Sequence, residues 1–283
     1  MPIRSAFELP SAETCARIAL CCAGLSGNPH VGRAIRTTGT ALDLITAIWD
    51  HRPTTLSPNL TDRIRILGHP AAVAAAIDTA RQLDLRLIGP DCSHWPARLH
   101  QLGAGAPLLL WISGNPALLN DPPVVVTGAT RPDVEVRAAV IDLTTRIADD
   151  GWTLAASTRP GVDQLTRDAA RAMNGRLVTV AGTARLSDDP DEVVVSENPP
   201  LVPVLLGSAV RTPILLAVLG AKVVVGSPWA GTGAGRTCLA AHVLGRPLGR
   251  LQREGRDAAG GVDYGHRYGA PVVRSVQDVE RLR

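Results

Sequence analysis

Val124-Val125-Val126-Thr127-Gly128-Ala129-Thr130-Arg131-Pro132 is an apolar run that ends in a glycine loop. Three successive valines bounded by turn residues read as a strand buried on both faces. Beyond the loop, Val134–Asp149 carries the apolar spacing of an amphipathic helix. The unit then recurs. Strand Trp152–Ala155 leads to helix Asp163–Met173, and strand Arg176–Val180 follows. Strand Glu192–Val195 precedes helix Thr212–Leu219, and strand Lys222–Val225 precedes helix Arg236–Leu244. Apolar strands alternating with amphipathic helices predict a parallel sheet covered on both faces, an α/β doubly wound fold.

Upstream the pattern changes. Ser11-Ala12-Glu13-Thr14 opens the helical run Cys15–Ala23, which Gly24 to Pro29 breaks, and His30–Thr37 and Ala41–Trp49 follow as short helices. Ser57-Pro58-Asn59-Leu60 leads into a further short helix; beyond Pro70, Ala71–Leu83 has helical spacing and Leu85–Ile88 reads as a strand. A small helical domain over residues 1–66 is therefore expected ahead of an α/β domain over 67–283.

At 45% hydrophobic, a chain of 283 residues can bury a sizeable core. Its longest apolar runs fall far short of the roughly 20 residues that span a bilayer, which argues against a membrane protein, and the first residues show no secretory signal pattern. Five cysteines (Cys15, Cys21, Cys22, Cys92, Cys238) form no CxxC spacing, so neither a zinc site nor a disulfide framework is expected, and a cytoplasmic setting follows. Net charge is only +3, so any nucleic-acid site must be a local cluster. All but one of the 29 basic residues are Arg, Lys222 being the exception. That bias suits bidentate phosphate contacts and equally reflects a GC-rich coding sequence.

In a doubly wound sheet, ligands bind beyond the carboxyl ends of the strands, where loops feed helix N-termini. Three loops have the composition for it. The first carries Gly128, Thr130 and Arg131; the second, Ser157-Thr158-Arg159-Pro160-Gly161-Val162-Asp163, carries Arg159 and Gly161, with Asp163 as an expected N-cap. The third, Ala230-Gly231-Thr232-Gly233-Ala234-Gly235-Arg236-Thr237, carries Thr232, Gly233 and Arg236. It is no P-loop, because Ala230 stands where the first glycine belongs and Arg236 replaces the lysine. Nor does it have the place or spacing of a dinucleotide fingerprint. What it offers is a nest of backbone N–H groups suited to an anion, unless its glycines serve only tight turns. Catalytic constellations are thin. Seven scattered histidines match no nucleophile or metal spacing, and Glu197 is a lone carboxylate. No enzyme, cofactor or metal site is expected.

The ordered motifs nevertheless resemble a family. Asp91-Cys92-Ser93-His94-Trp95-Pro96-Ala97-Arg98-Leu99 is similar to a "YPxxL" segment with Trp for Tyr, and Pro107 to Pro116 to a "PxxLyxrGn" strand. Val125 to Arg131 resembles "vaiVGsR" with one extra residue, Pro160-Gly161-Val162-Asp163 the end of "SGxAxGID", and Ser196-Glu197-Asn198-Pro199 "SExP". Arg211 falls on the first Arg of "RNRIIAgLs", Thr232 to Thr237 is similar to "SGSxxTA", and Gly245-Arg246 and Gly269-Ala270 fit the closing segments. The family is DNA-processing protein A, also called Smf. The resemblance implies a sterile-alpha-motif-like helical domain on an extended Rossmann domain, binding of single-stranded DNA, dimerisation, and loading of a RecA-type recombinase during natural transformation. It also implies DNA phosphate contacts at Gly128 and Arg131, and places Arg176, Arg211, Thr232 and Gly233 on its basic and pocket positions. The small winged-helix domain that ends many members is expected to be missing.

Several positions depart from the pattern. The first Gly of "SGxAxGID" is lost at Ala156-Ser157, "AH" becomes Thr166-Arg167, and the rest of "RNR" becomes Thr212-Pro213. DNA contacts rebuilt on Arg159, Arg167 and Arg236 are one consequence. A Rossmann module that senses a nucleotide-derived small molecule is the alternative, and a scaffold without a ligand is the third. Aromatics make up 3% of the chain, so base stacking, the usual complement of single-strand binding, is meagre.

Overall fold

The computed structural model describes residues 10–187, 189–200, 208–229, 231–251 and 263–283. Ala230 of the third loop therefore lies outside the described residues. Five helices come first: α1 (Ala12–Cys22), α2 (Pro29–Thr38), α3 (Ala41–Trp49), α4 (Pro58–Leu67) and α5 (Pro70–Gln82). Their starts are local chemistry. Ser11, Asn28 and Thr40 accept from N-terminal backbone N–H groups, and Pro29, Pro58 and Pro70 stand at the helix starts, where a missing N–H leaves nothing unpaired. Their apolar faces share one cluster around Ile18, Leu20, Leu44, Ile48 and Ile64. Ala76 and Ala80 of α5 belong to that cluster, as do Leu109 and Trp111, so α5, past residue 66, packs with the opening helices. Burial pushes the Cys22 thiol up to about 11 and raises Cys21 as well, which leaves both as apolar filling rather than nucleophiles.

The sheet has nine strands among the described residues: β1 (Arg86–Ile88), β2 (Leu110–Gly114), β3 (Val124–Gly128), β4 (Leu154–Ser157), β5 (Leu177–Val180), β6 (Glu192–Ser196), β7 (Lys222–Gly226), β8 (Leu248–Leu251) and β9 (Val272–Val273). Their order is β1-β2-β6-β5-β4-β3-β7-β8-β9. From β6 to β9 every pair is parallel, with Val124 opposite both Leu154 and Lys222. This is the expected doubly wound sheet. Its antiparallel extension through β2 and β1 was not expected, because Leu110 to Ile112 are buried on both sides and carry no period that tells direction.

Valine alternation assigns the faces. Val124 and Val126 pack with α6 (Val134–Asp149) and α7 (Val162–Ala172), while Val125 packs with α8 (Ser208–Leu219) and α9 (Gly233–Val243). Helix α8 starts at Ser208, four residues before Thr212, and keeps Pro213 inside. A proline near a helix start removes few intrahelical bonds, and the apolar run Ile214–Leu219 compensates by burial. Helix α9 likewise begins at Gly233 rather than Arg236, capped by the Thr232 hydroxyl, which accepts from Gly235 N–H at 3.0 Å. At the other end of the sheet Lys222 donates to the carbonyls of Val279 (2.8 Å) and Glu280 (2.6 Å) in α10 (Val276–Arg281). Strand order reverses between β3 and β7, so the crevice of a doubly wound sheet opens beyond Gly128 and Gly226.

Candidate anion-binding cleft

One buried carboxylate organises the strand ends. Asp163 lies within the first turn of α7, and Gly161, not Asp163, occupies the N-cap position. The expected capping role is thereby corrected: the side chain turns inward to the sheet, where it is wholly buried. There it accepts from Thr127 Oγ1 at 2.8 Å, Ser157 N–H at 2.9 Å and Ser157 Oγ at 2.6 Å, with Gly128 N–H at 3.4 Å. Arg159 completes the cluster, donating from Nη2 to Asp163 Oδ2 at 3.0 Å and Thr127 Oγ1 at 2.7 Å, and from Nε to Ser157 Oγ at 3.0 Å. A Cβ at Gly233 would stand 1.6 Å from an Arg159 nitrogen, so that glycine makes room for the guanidinium. Arg159 thus ties the ends of β3 and β4 together and packs against the start of α9.

The other loop glycines also serve close packing. Gly161 adopts φ +80°, and a Cβ there would meet the Ala129 carbonyl oxygen at 2.3 Å. That approach lets Val162 N–H donate to Ala129 at 3.1 Å. A Cβ at Gly128 would strike the Gly226 carbonyl and Val162, so its open face is turned to neighbouring chain rather than to a ligand.

A cleft of about 450 Å³ opens on the α8/α9 side of these strand ends. Arg159, Arg185 and Arg236 line it, with Thr158, Thr183 and Thr237 among its hydroxyls and Leu216 among its apolar contacts. No acidic side chain is among the described residues that line it. Of the residues singled out in the sequence, Arg159, Gly233 and Arg236 therefore meet here, beside the capping Thr232. Thr130 and Arg131 are exposed on the β3 loop and do not line the cleft.

Three other arginines are placed elsewhere. Arg176 precedes β5 at the amino end of the sheet, 3.4 Å from Asp121 and donating to the Gly151 carbonyl. Arg211 forms a bidentate pair with buried Glu197 (2.9 and 2.8 Å) beneath Gly27 of the helical module. This pair also accounts for Glu197, the lone carboxylate of the sequence. Arg167 is buried against the carbonyls of Ser157 and Arg159, and burial lowers its pKa. Its charge supports the β4 loop instead of facing outward. Arg185 was missed, although the signal was present: Gly182-Thr183-Ala184-Arg185 follows β5 with the same composition as the other strand-end loops.

At the amino end of β6, Glu192 is buried and accepts from Ser187 Oγ (2.7 Å), Arg171 (2.8 Å) and Thr179. Burial alone raises its pKa, but the hydrogen bonds from Ser187, Thr179 and Arg171 together outweigh burial and lower it. Its stabilisation is thus complete above the unfolded carboxyl value of about 4.3 and is lost as pH falls through the lower folded value. Glu192→Gln should be less stable than wild type at pH 7, with the gap closing below about pH 4. Urea unfolding at both pH values checks this, and a constant gap would contradict it.

A family model described as DNA recombination-mediator protein A matches residues 86–281. None of the curated protein sequences matches the chain significantly. Among solved structures, DNA processing protein A from Streptococcus pneumoniae is similar with a TM-score of 0.74 and 20% identity, over 98% of this chain and 99% of that one. DNA processing protein A from Helicobacter pylori, described for its single-stranded DNA binding mode, is similar with a TM-score of 0.55 and 18% identity, over 65% of this chain and 89% of that one. At these identities the likeness concerns the fold.

Proposed function

Because the chain belongs to the DNA recombination-mediator protein A family, we propose that it binds single-stranded DNA without catalysing a reaction and lays the backbone in the strand-end cleft. The observation that carries this reading is the cleft lining: three guanidinium groups, several hydroxyls and the N-terminal turn of α9, with no acid among the described residues. Arg and backbone N–H groups hold phosphate without reading sequence. The H. pylori relative is a single-stranded DNA binder by description, which supports the same ligand class. On this reading Arg185 and Arg236 take phosphates, Arg159 is shared with Asp163, and exposed Arg131 adds a contact on the rim. The family resemblance extends the proposal to a homodimer that delivers the strand to a RecA-type recombinase in the cytoplasm, with residues 1–66 as the appended helical domain.

Fluorescence anisotropy with labelled dT oligonucleotides tests the proposal. About four phosphate contacts give a logarithmic salt slope of about −3, or a roughly 50-fold loss of affinity between about 50 and 200 mM salt. Arg131→Ala should weaken binding about threefold, as an exposed ion pair does. Absence of binding at low salt would refute the reading. One observation favours a second: about 450 Å³ is also the volume of a small-molecule site. A mononucleotide that binds where the oligonucleotide does not would support that alternative.

A further inference from the structure

Arg185 belongs to two cavities. Besides the cleft it lines an open hollow of about 650 Å³, bounded by Arg171 and Asn174 at the end of α7 and by Leu186, Ser187, Asp189 and Pro190 ahead of β6. The hollow differs from the cleft in kind. Among the described residues that line it, Arg171 and Arg185 are balanced by Asp189 and Glu192, so these groups leave no excess of positive charge to favour a phosphate. Glu192 and Arg171 are already paired with each other. Asn174 makes no side-chain hydrogen bond to a described residue, and Asp189 uses Oδ1 for the Asp191 N–H at 2.9 Å. Half-exposed Leu186 and the Pro190 ring supply apolar faces beside these polar edges. An apolar face next to hydrogen-bonding edges is the chemistry that holds a nucleobase.

We propose that the hollow is a nucleobase subsite: a strand that lays a phosphate on Arg185 turns the adjoining base onto Leu186 and Pro190, with its edge toward Asn174 and Asp189. This rests on the single-stranded DNA reading above. An ionised carboxylate only accepts hydrogen bonds, so Asp189 favours a base with an exocyclic amine. Cytosine offers N4–H₂, whereas thymine turns a carbonyl oxygen toward the carboxylate at the same position. The subsite thus replaces the stacking that few aromatics can provide with recognition of the base edge.

Anisotropy at neutral pH with dC and dT oligonucleotides of equal length tests it. Wild type should bind dC about fivefold more tightly than dT, the scale of one base-edge contact. Asp189→Ala should bring the ratio close to one. Asn174→Gly should lower it too, and glycine keeps the left-handed backbone (φ +50°) that Asn174 adopts. Equal affinity for dC and dT in wild type, or a ratio unchanged in both variants, overturns the subsite and leaves the cleft proposal standing. Binding of neither oligonucleotide overturns both.

Discussion

Asp163→Ala should lower the melting temperature by about 6–12 °C. The wild-type carboxylate is wholly buried and accepts from both Thr127 and Ser157 hydroxyls, the Ser157 N–H and Arg159, with a longer contact to Gly128 N–H. Removing it leaves those donors facing each other around a guanidinium that has lost its counter-charge. Breaking a buried pair costs about 3–5 kcal/mol. Arg159 is a quarter exposed, so water screens part of its charge and about 3 kcal/mol is the better figure. For a chain of this size each kcal/mol moves the midpoint by about 2–4 °C. The same substitution removes one of the links between the β3 and β4 loops, so oligonucleotide binding should fall with stability. Thermal unfolding followed by circular dichroism is the measurement; a midpoint within about 2 °C of wild type would show that the strand ends do not depend on this carboxylate.

The double variant Arg185→Glu, Arg236→Glu should weaken binding of single-stranded DNA at least about 100-fold. Each hydrogen bond to a charged group contributes about 1.5–3 kcal/mol, and reversal adds repulsion of the phosphate to the loss of contact. Two such positions facing one cleft exceed the 2.7 kcal/mol or so that a 100-fold change requires. Arg146→Ala, on the exposed face of α6 beside Asp142, sets the scale for losing one positive charge elsewhere. Anisotropy at low salt reads both. An affinity for the double variant within about threefold of wild type would mean that DNA, if bound, lies outside the cleft.

The helical module and the parallel core were legible because their signals are local. Ser11 opens the first helix within three residues, and the apolar run Val124–Val126 marks β3 as a strand buried on both faces. Loop composition likewise pointed to the carboxyl ends of the strands. What the sequence left open was the partner of each individual charge. Arg159, Arg176 and Arg211 looked alike as loop or strand-end arginines, yet one is shared with Asp163, one lies at the amino end of β5, and one is neutralised by Glu197. The Arg185 loop went unremarked although its composition matched the others.

Residue order by itself determined the opening helices and the alternation of strands β3 to β7 with their helices, and it pointed to the carboxyl ends of those strands for a ligand site. Only the tertiary structure decided that Arg185 and Arg236 face the cleft, that Asp163 is its buried support, and that β1 and β2 extend the sheet antiparallel. The physical reason is range. Period and capping act within a few residues, whereas Thr127 meets Asp163 across 36 positions only after β3 and β4 are laid side by side. Whether a guanidinium is available to a phosphate depends on the carboxylate that folding places next to it.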